Sequence, residues 1–266
     1  MSVPDEAGVQ DETVVVERVG AVATLRLNRP DQANALTRAS RAELTHALRD
    51  ASRDSGVRCI VLAGTGRNFC AGQDLREEGG LDDIAGVVRD GYAPIIRAIT
   101  EAPKPVLAAV QGAAAGAGAA LALACDLRIF ADDAYVVMAF SNIGLVPDAG
   151  VSWFLTQQVG YQRAFEMCAT GRRVPAHEAL THGLCERVVL GDSLADDVAR
   201  LAAELAARPP LALGFTKRLL RRSLGATLEE LLELEAQLQR AAAATADHRE
   251  GVAAFLEKRA PTFEGR

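Results

Sequence analysis

The chain has 266 residues, 49% hydrophobic and 24% charged, enough for one large domain or a core domain with an appendage. Its net charge of −6 gives no global basic field for nucleic acid, so an acidic ligand has to be met by local Arg and Lys. Five cysteines without CxxC spacing and four histidines without HExxH or HxxxH spacing fit free thiols in a reducing cytoplasm rather than disulfides or a metal centre.

Thr13 to Val19 and Ala21 to Leu27 are rich in Val and Leu and read as a hairpin about Gly20. The preceding MSVPDEAGVQDE is acidic and polar, so it is not expected to be a secretory signal. Thr37 is a candidate N-cap for a helix to about Asp54, with Leu44, Ala47, Leu48 and Ala51 on its apolar face. Cys59 to Ala63 reads as a buried strand, and the loop Gly64 to Asp74 follows it. Residues 82–101 read as a helix closed by Pro103 and Pro105. Val106 to Val110 reads as a second buried strand, Gly112 to Ala120 is almost pure Gly and Ala, and Leu121 to Ala124 continues as a buried helix. Asp126 to Ala131, Tyr135 to Met138 and Glu186 to Leu190 read as strands, and Pro147 to Gly160 and Tyr161 to Thr170 as helices. From Ser193 onward every segment reads as helix, broken at Pro209-Pro210 and Gly225. The pattern predicts an α/β core, residues 1–192, of parallel strands with crossover helices, and a helical tail, residues 193–266. No apolar run is long enough to span a membrane.

Two buried strands end in turns of small residues leading to helices, Cys70-Ala71-Gly72 and Gly116-Ala117-Gly118. In a parallel sheet both turns leave by the same edge. Their free N–H groups could converge on one oxygen and stabilise an oxyanion formed from a carbonyl or thioester. The simpler role for such glycines is close packing of helix on strand. A dinucleotide site is a poorer fit, since Leu121 replaces the third glycine of GxGxxG. A serine hydrolase would need a GxSxG elbow, which neither loop has.

At these residues the chain resembles the crotonase, or enoyl-CoA hydratase/isomerase, superfamily. NRPDQANAL, GRNFCAGQDL, AVQGAAAGAGAALALACDLRI, GLVPDAG and ADHREGVAAFLEKRAPTF match its landmark segments in order. The AAGAGA loop, MAFSNIGLVPDAG and the DHREGVAAFLEKR tail are most similar to its 1,2-epoxyphenylacetyl-CoA isomerase-like members. The resemblance implies a superhelix of ββα units with a helical trimerisation region, forming a homotrimer or a dimer of trimers in the cytoplasm. It implies an acyl-CoA substrate, with no cofactor beyond the coenzyme A that the substrate carries. Ala71 and Ala117 would donate their N–H groups to the thioester oxygen. Ala71, Gly72, Gln73 and Asp74 would line the pantetheine tunnel with Gly116. Gln32 and Ala33 would meet the adenine. Phe255 and Lys258 would reach the CoA phosphate or adenine from the last helix, in many relatives a neighbouring subunit's. Lys258 has a second role open to it, as a cation at a helix C-terminus.

Hydration needs two carboxylates to hold a water and move its protons. The positions where hydratases of the family carry them are Ala120 and Phe140 here, and neither residue transfers protons. Asp148 matches the place where several isomerases carry an acid. One carboxylate can take a proton from an acyl-CoA and return it elsewhere, and an apolar pocket of Phe140, Trp153 and Phe154 would raise its pKa. An Asp before a helix is also a favoured N-cap. Asp74 is expected to cap the helix after its loop, and Asp126 to pair with Arg128. Pocket walls are expected from residues 76–98, Trp153 and the tail. The reading is an acyl-CoA isomerase, shifting an enoyl double bond or converting a ring epoxide to an oxepin. The alternatives are a weak hydratase and a non-catalytic acyl-CoA-binding subunit.

Overall fold

The computed structural model describes residues 12–78 and 83–266. The acidic start of the chain, and 79–82 of the expected pocket wall, lie outside the described residues. Strands β1 (Val14–Val19) and β2 (Val22–Leu27) form the expected hairpin. Helix α1 (Arg38–Arg53) begins at Thr37, whose hydroxyl accepts from Ser40 N–H in a capping box. Strand β3 (Cys59–Gly64) is buried throughout. A short helix α2 (Ile84–Gly86) passes through a π turn, Val87–Tyr92, into α3 (Ala93–Glu101). Strand β4 (Val106–Val110), strand β5 (Ala113–Ala115), helix α4 (Ala117–Ala124) and strands β6 (Leu127–Ala131) and β7 (Tyr135–Val137) follow. Then come α5 (Val151–Val159), α6 (Tyr161–Thr170), β8 (Arg173–Pro175), α7 (Ala176–Thr181), β9 (Arg187–Val189) and α8 (Leu194–Ala206). Helices α9 (Pro210–Ser223), α10 (Leu228–Ala243) and α11 (Ala246–Glu257) complete the chain.

The larger sheet has the order β1-β2-β3-β4-β6-β9 and is parallel from β2 onward; the smaller has the order β5-β7-β8. Helix α1 packs on β1, β2 and β3, while α8 packs on β2, β3, β4 and β6. The central strands, covered on both faces, read as continuous apolar runs for that reason. Helix α4 is apolar all round and buried at every position, as a helix inside a core must be.

Four elements differ from the sequence expectation. β5 is three alanines, a residue with little preference for strands, and it forms because β7 pairs with it in parallel register. β8, of three residues, and α7, of six, are also short. The helix expected from Pro147 starts instead at Val151, because Ala149 (φ 48°) and Gly150 (φ 83°) are both left-handed and reverse the chain before it.

The expected Asp126–Arg128 pair does not form. Asp126 accepts from Val106 N–H at 2.9 Å and pairs with Lys217 at 2.7 Å and Arg221 at 3.2 Å, both on α9. Arg128 instead donates to the carbonyls of Leu123 and Cys125 at the end of α4 and to Leu184, where a cation suits the helix dipole. Asp126 is therefore a joint between the sheet and helix α9 of the tail. Replacing it leaves the buried Lys217 ammonium with only the Ile99 and Lys104 carbonyls. Asp126→Ala should cost roughly 2–3 kcal/mol in urea unfolding followed by circular dichroism.

Candidate functional site

The loop after β3 and the turn after β4 are joined by main-chain hydrogen bonds. Cys70 N–H donates to the Ala113 carbonyl at 3.0 Å, and Ala115 N–H donates to the Cys70 carbonyl at 2.9 Å. Two glycines permit this approach. A Cβ on Gly118 would lie 2.2 Å from the Cys70 carbonyl oxygen, and one on Gly72 (φ +92°) would lie 2.7 Å from the Ala115 oxygen. That Gly72 Cβ position is also 3.3 Å from the Ala117 nitrogen, so the two turns meet at Gly72 and the first residue of α4. Ala117 N–H, in the first turn of α4, has no main-chain acceptor among the described residues.

Ala71 does not supply the second free donor. Its N–H is spent on the Ala33 carbonyl at 2.9 Å. The free amide is two residues on. Leu36 N–H donates to the Gly72 carbonyl and Asp74 N–H donates to the Leu36 carbonyl, which makes a parallel bridge between Leu36 and Gln73. In such a bridge the flanking residues bond the partner, and the central residue turns its own N–H to the other side. Gln73 N–H therefore faces away from Leu36, and no acceptor holds it among the described residues. Residue types alone did not reveal this, because the direction of an amide depends on the pairing partner.

Asp148 sits between Pro147 and the left-handed Ala149. It does not cap α5; Gly150 holds the N-cap position, with no side-chain bond. Asp148 Oδ1 is buried without a partner, and no hydrogen bond reaches the carboxyl from any described residue. Burial alone pushes its pKa up from 3.8 to about 6. Its charge is felt by Tyr92, at the end of the π turn. Asp74 differs: burial would raise it, but the Arg29 guanidinium at 2.9 Å and the Arg76 N–H hold it below the usual carboxylate range. Phe140 is buried, with its ring 3.9 Å from where a Cβ on Gly116 would stand, and Ala120 is fully buried in α4. Phe154 is buried beneath Gly150, and Trp153 stacks edge-on against it while remaining half exposed.

Gln32, Ala33, Ala71, Gly72, Gln73, Asp74, Gly116, Ala117 and Phe140 thus fall in one connected region: Ala33 touches Ala71, Gly72 meets Ala117, and Phe140 covers Gly116. Phe255 and Lys258 are not brought there within one chain. Phe255 is 82% exposed and lines a groove made wholly by the tail, with Leu211, Val252, Leu256 and Phe263. Lys258 is exposed at the left-handed end of α11. Two residues of the site region carry a sequence signal that passed unused. Arg41 precedes Leu44 and Leu48 at helical spacing, and Tyr92 precedes Ile95 and Ile99, so each is a polar group on a core-facing stripe.

The half-buried, unpaired Asp148 has a thermodynamic consequence. Its folded-state pKa lies above the unfolded value, so the folded chain binds the extra proton and loses stability as pH rises from about 4 to 6. Asp148→Asn should melt higher than the wild type at pH 8. The gap should close toward pH 4, as read by calorimetry across that range.

Residues 17–266 match the family model for enoyl-CoA hydratase/isomerase. The 1,2-epoxyphenylacetyl-CoA isomerase of Escherichia coli is 42% identical over 250 residues, 92% of this chain and 95% of that protein. A Rhodobacter capsulatus protein named probable enoyl-CoA hydratase is 45% identical over 256 residues, 96% of this chain and 98% of that protein. The crystal structure of an enoyl-CoA hydratase from Bacillus anthracis superposes with a TM-score of 0.92 at 33% identity, over 96% of this chain and 100% of that one. With nearly its whole length aligned in sequence and in fold, this chain belongs to the enoyl-CoA hydratase/isomerase family.

Proposed function

We propose that the protein is an acyl-CoA isomerase in which Asp148 removes a proton from the acyl chain of a CoA thioester and returns it elsewhere. The observation that carries this reading is Asp148, half-buried with its Oδ1 sealed off and without a hydrogen-bond partner, while the two hydratase carboxylate positions hold the buried Ala120 and Phe140. The thioester oxygen, negative in the enolate, is placed between the Ala117 and Gln73 amides. Ala71 is relieved of that role because its N–H is spent. A lost oxyanion donor typically costs about 3–4 kcal/mol of barrier. The product is a shifted enoyl double bond or a rearranged ring epoxide, the second being the substrate class in the name of the E. coli relative. The coenzyme A moiety runs past Gln32, Ala33 and the Ala71–Asp74 loop, with Phe255 and Lys258 contributed across a homotrimer or a dimer of trimers.

Asp148→Asn should lower isomerisation of 3-enoyl-CoA or ring-epoxide esters below detection while CoA-ester affinity, read by calorimetric titration, changes little. Unimpaired turnover in that variant would remove Asp148 from the mechanism. The free enzyme needs the carboxylate, so kcat/KM should fall as pH drops through about 6.

A hydratase reading is favoured by the name of the Rhodobacter capsulatus relative. A single carboxylate would have to position the water and also move both protons. Crotonyl-CoA hydration, followed by loss of enoyl absorbance, should therefore be orders of magnitude slower than isomerisation; comparable rates would make hydration the principal activity.

A further inference from the structure

Gln73 is gripped by its side chain. Its Oε1 accepts from Arg41 Nη1 at 2.5 Å and from the Tyr92 hydroxyl at 2.5 Å. These donors come from two separate elements, α1 and the π turn, and both are out of solvent: Arg41 is 4% exposed and Tyr92 1%. Burying an arginine is costly unless it is held in place. Here its guanidinium faces the Glu77 carboxylate at 3.9 Å, which also accepts from Gln73 Nε2 at 3.4 Å; it lies over the Tyr92 ring, 5.2 Å from the centroid, and Nη1 also donates to the Leu36 carbonyl at 3.4 Å. Its Nε passes directly against Gly91, where a Cβ would come within 2.8 Å, and finds no acceptor of its own.

So much buried polarity converges on one glutamine oxygen that a purely structural role is hard to justify: a hydrophobic trio would fill the same space at lower cost. What the trio fixes is a main-chain direction. The Gln73 side chain leaves the same Cα whose amide faces away from Leu36, and Leu36 is itself held by Arg41. Pinning Oε1 on one side and the neighbouring peptides on the other leaves the Gln73 plane little freedom to rotate.

We propose that Arg41 and Tyr92 are positioning residues that act through the Gln73 side chain to hold the Gln73 amide toward the Ala117 amide. The inference rests on the reading of those two amides as the oxyanion donors, and it makes the reaction depend on two side chains that never touch the substrate. It also explains the π turn. The extra residue in that turn rotates Tyr92 relative to α3, a use such insertions often serve near functional sites.

The test uses Tyr92→Phe, which keeps the ring beneath Arg41 and removes only the hydroxyl, and Gln73→Leu, which removes the acceptor but keeps the amide. Hexanoyl-CoA, labelled with carbon-13 at the thioester carbonyl, is bound to each full-length protein and its carbonyl stretch is read by difference infrared spectroscopy. In the wild type the stretch should move to lower frequency than in water. In both variants most of that displacement should be lost and kcat should fall roughly five- to tenfold, the worth of about one hydrogen bond. KM and the melting temperature of Tyr92→Phe should change little. An undiminished displacement in Tyr92→Phe, or in a folded Gln73→Leu, would overturn the inference while leaving the two amides in their role. No displacement in the wild type would instead overturn the oxyanion reading, and the inference with it.

Discussion

The bonds that Cys70 makes to β5, one from its N–H and one to its carbonyl, set the geometry on which the rest of the site depends. Each is worth only about 1 kcal/mol of net stability. Their larger effect is to fuse the end of the β3 loop to the start of α4, so that the amides of Gln73 and Ala117 belong to one rigid unit. The fusion tolerates no side chain at Gly118, whose Cα lies against the Cys70 carbonyl. The Gly- and Ala-rich composition of Gly112–Ala120 is thus a steric requirement of that contact, and the helix that follows is buried at every position, with α3, α5 and β5 packed against it. Donors fixed before the substrate arrives need no reorganisation when charge develops on an oxygen between them.

Around that unit the protein treats its partly buried acids in two opposite ways. Asp74 is neutralised by Arg29, Asp126 by Lys217 and Arg221, and Glu166 and Glu178 share Arg172. Each of these ties one element to another. Asp148 has no such partner, and its proton affinity rises by burial alone. A carboxyl partly buried and unpaired works against stability, and proteins retain such groups mainly where the altered pKa is itself useful. The contrast with Asp74 lies in partners: the Arg29 guanidinium and the Arg76 N–H offset the burial of Asp74, while no such group meets Asp148.

Much of this was legible in the chain. Apolar runs marked β3 and β4, Thr37 announced α1, and the two small-residue turns and Asp148 mark the region on which the proposed function is built. What failed shares one physical cause: it depended on partners remote in sequence. Three alanines became β5 only because β7 lay alongside. Asp126 chose cations on α9 over the nearby Arg128, whose own side chain was claimed by the end of α4. Ala71 looked like a donor by position, yet the bridge between Leu36 and Gln73 decides which amides point outward. The polar residues on core stripes, Arg41 and Tyr92, were visible in the periodicity. Only their convergence on Gln73 gave them meaning.

The replacement of two carboxylate positions by Ala120 and Phe140 bears on more than the missing water. The ring of the buried Phe140 lies beside the turn at Gly116, next to the first residue of α4. In a drier site an N–H aimed at a developing negative charge interacts more strongly, because less of the field is screened. The same dryness is what raises the proton affinity of Asp148. A carboxylate near 6 is a stronger base than an exposed one, and closer in proton affinity to an enolate held by two amides. On the proposed reading, apolar side chains at the hydratase positions would change both sides of a proton transfer in the same direction: they would strengthen the base and stabilise the anion that the base leaves behind. Water in that space would weaken both, and it would also offer the enolate an unwanted source of protons. On the proposed reading, the apolar residues are part of how one carboxylate suffices.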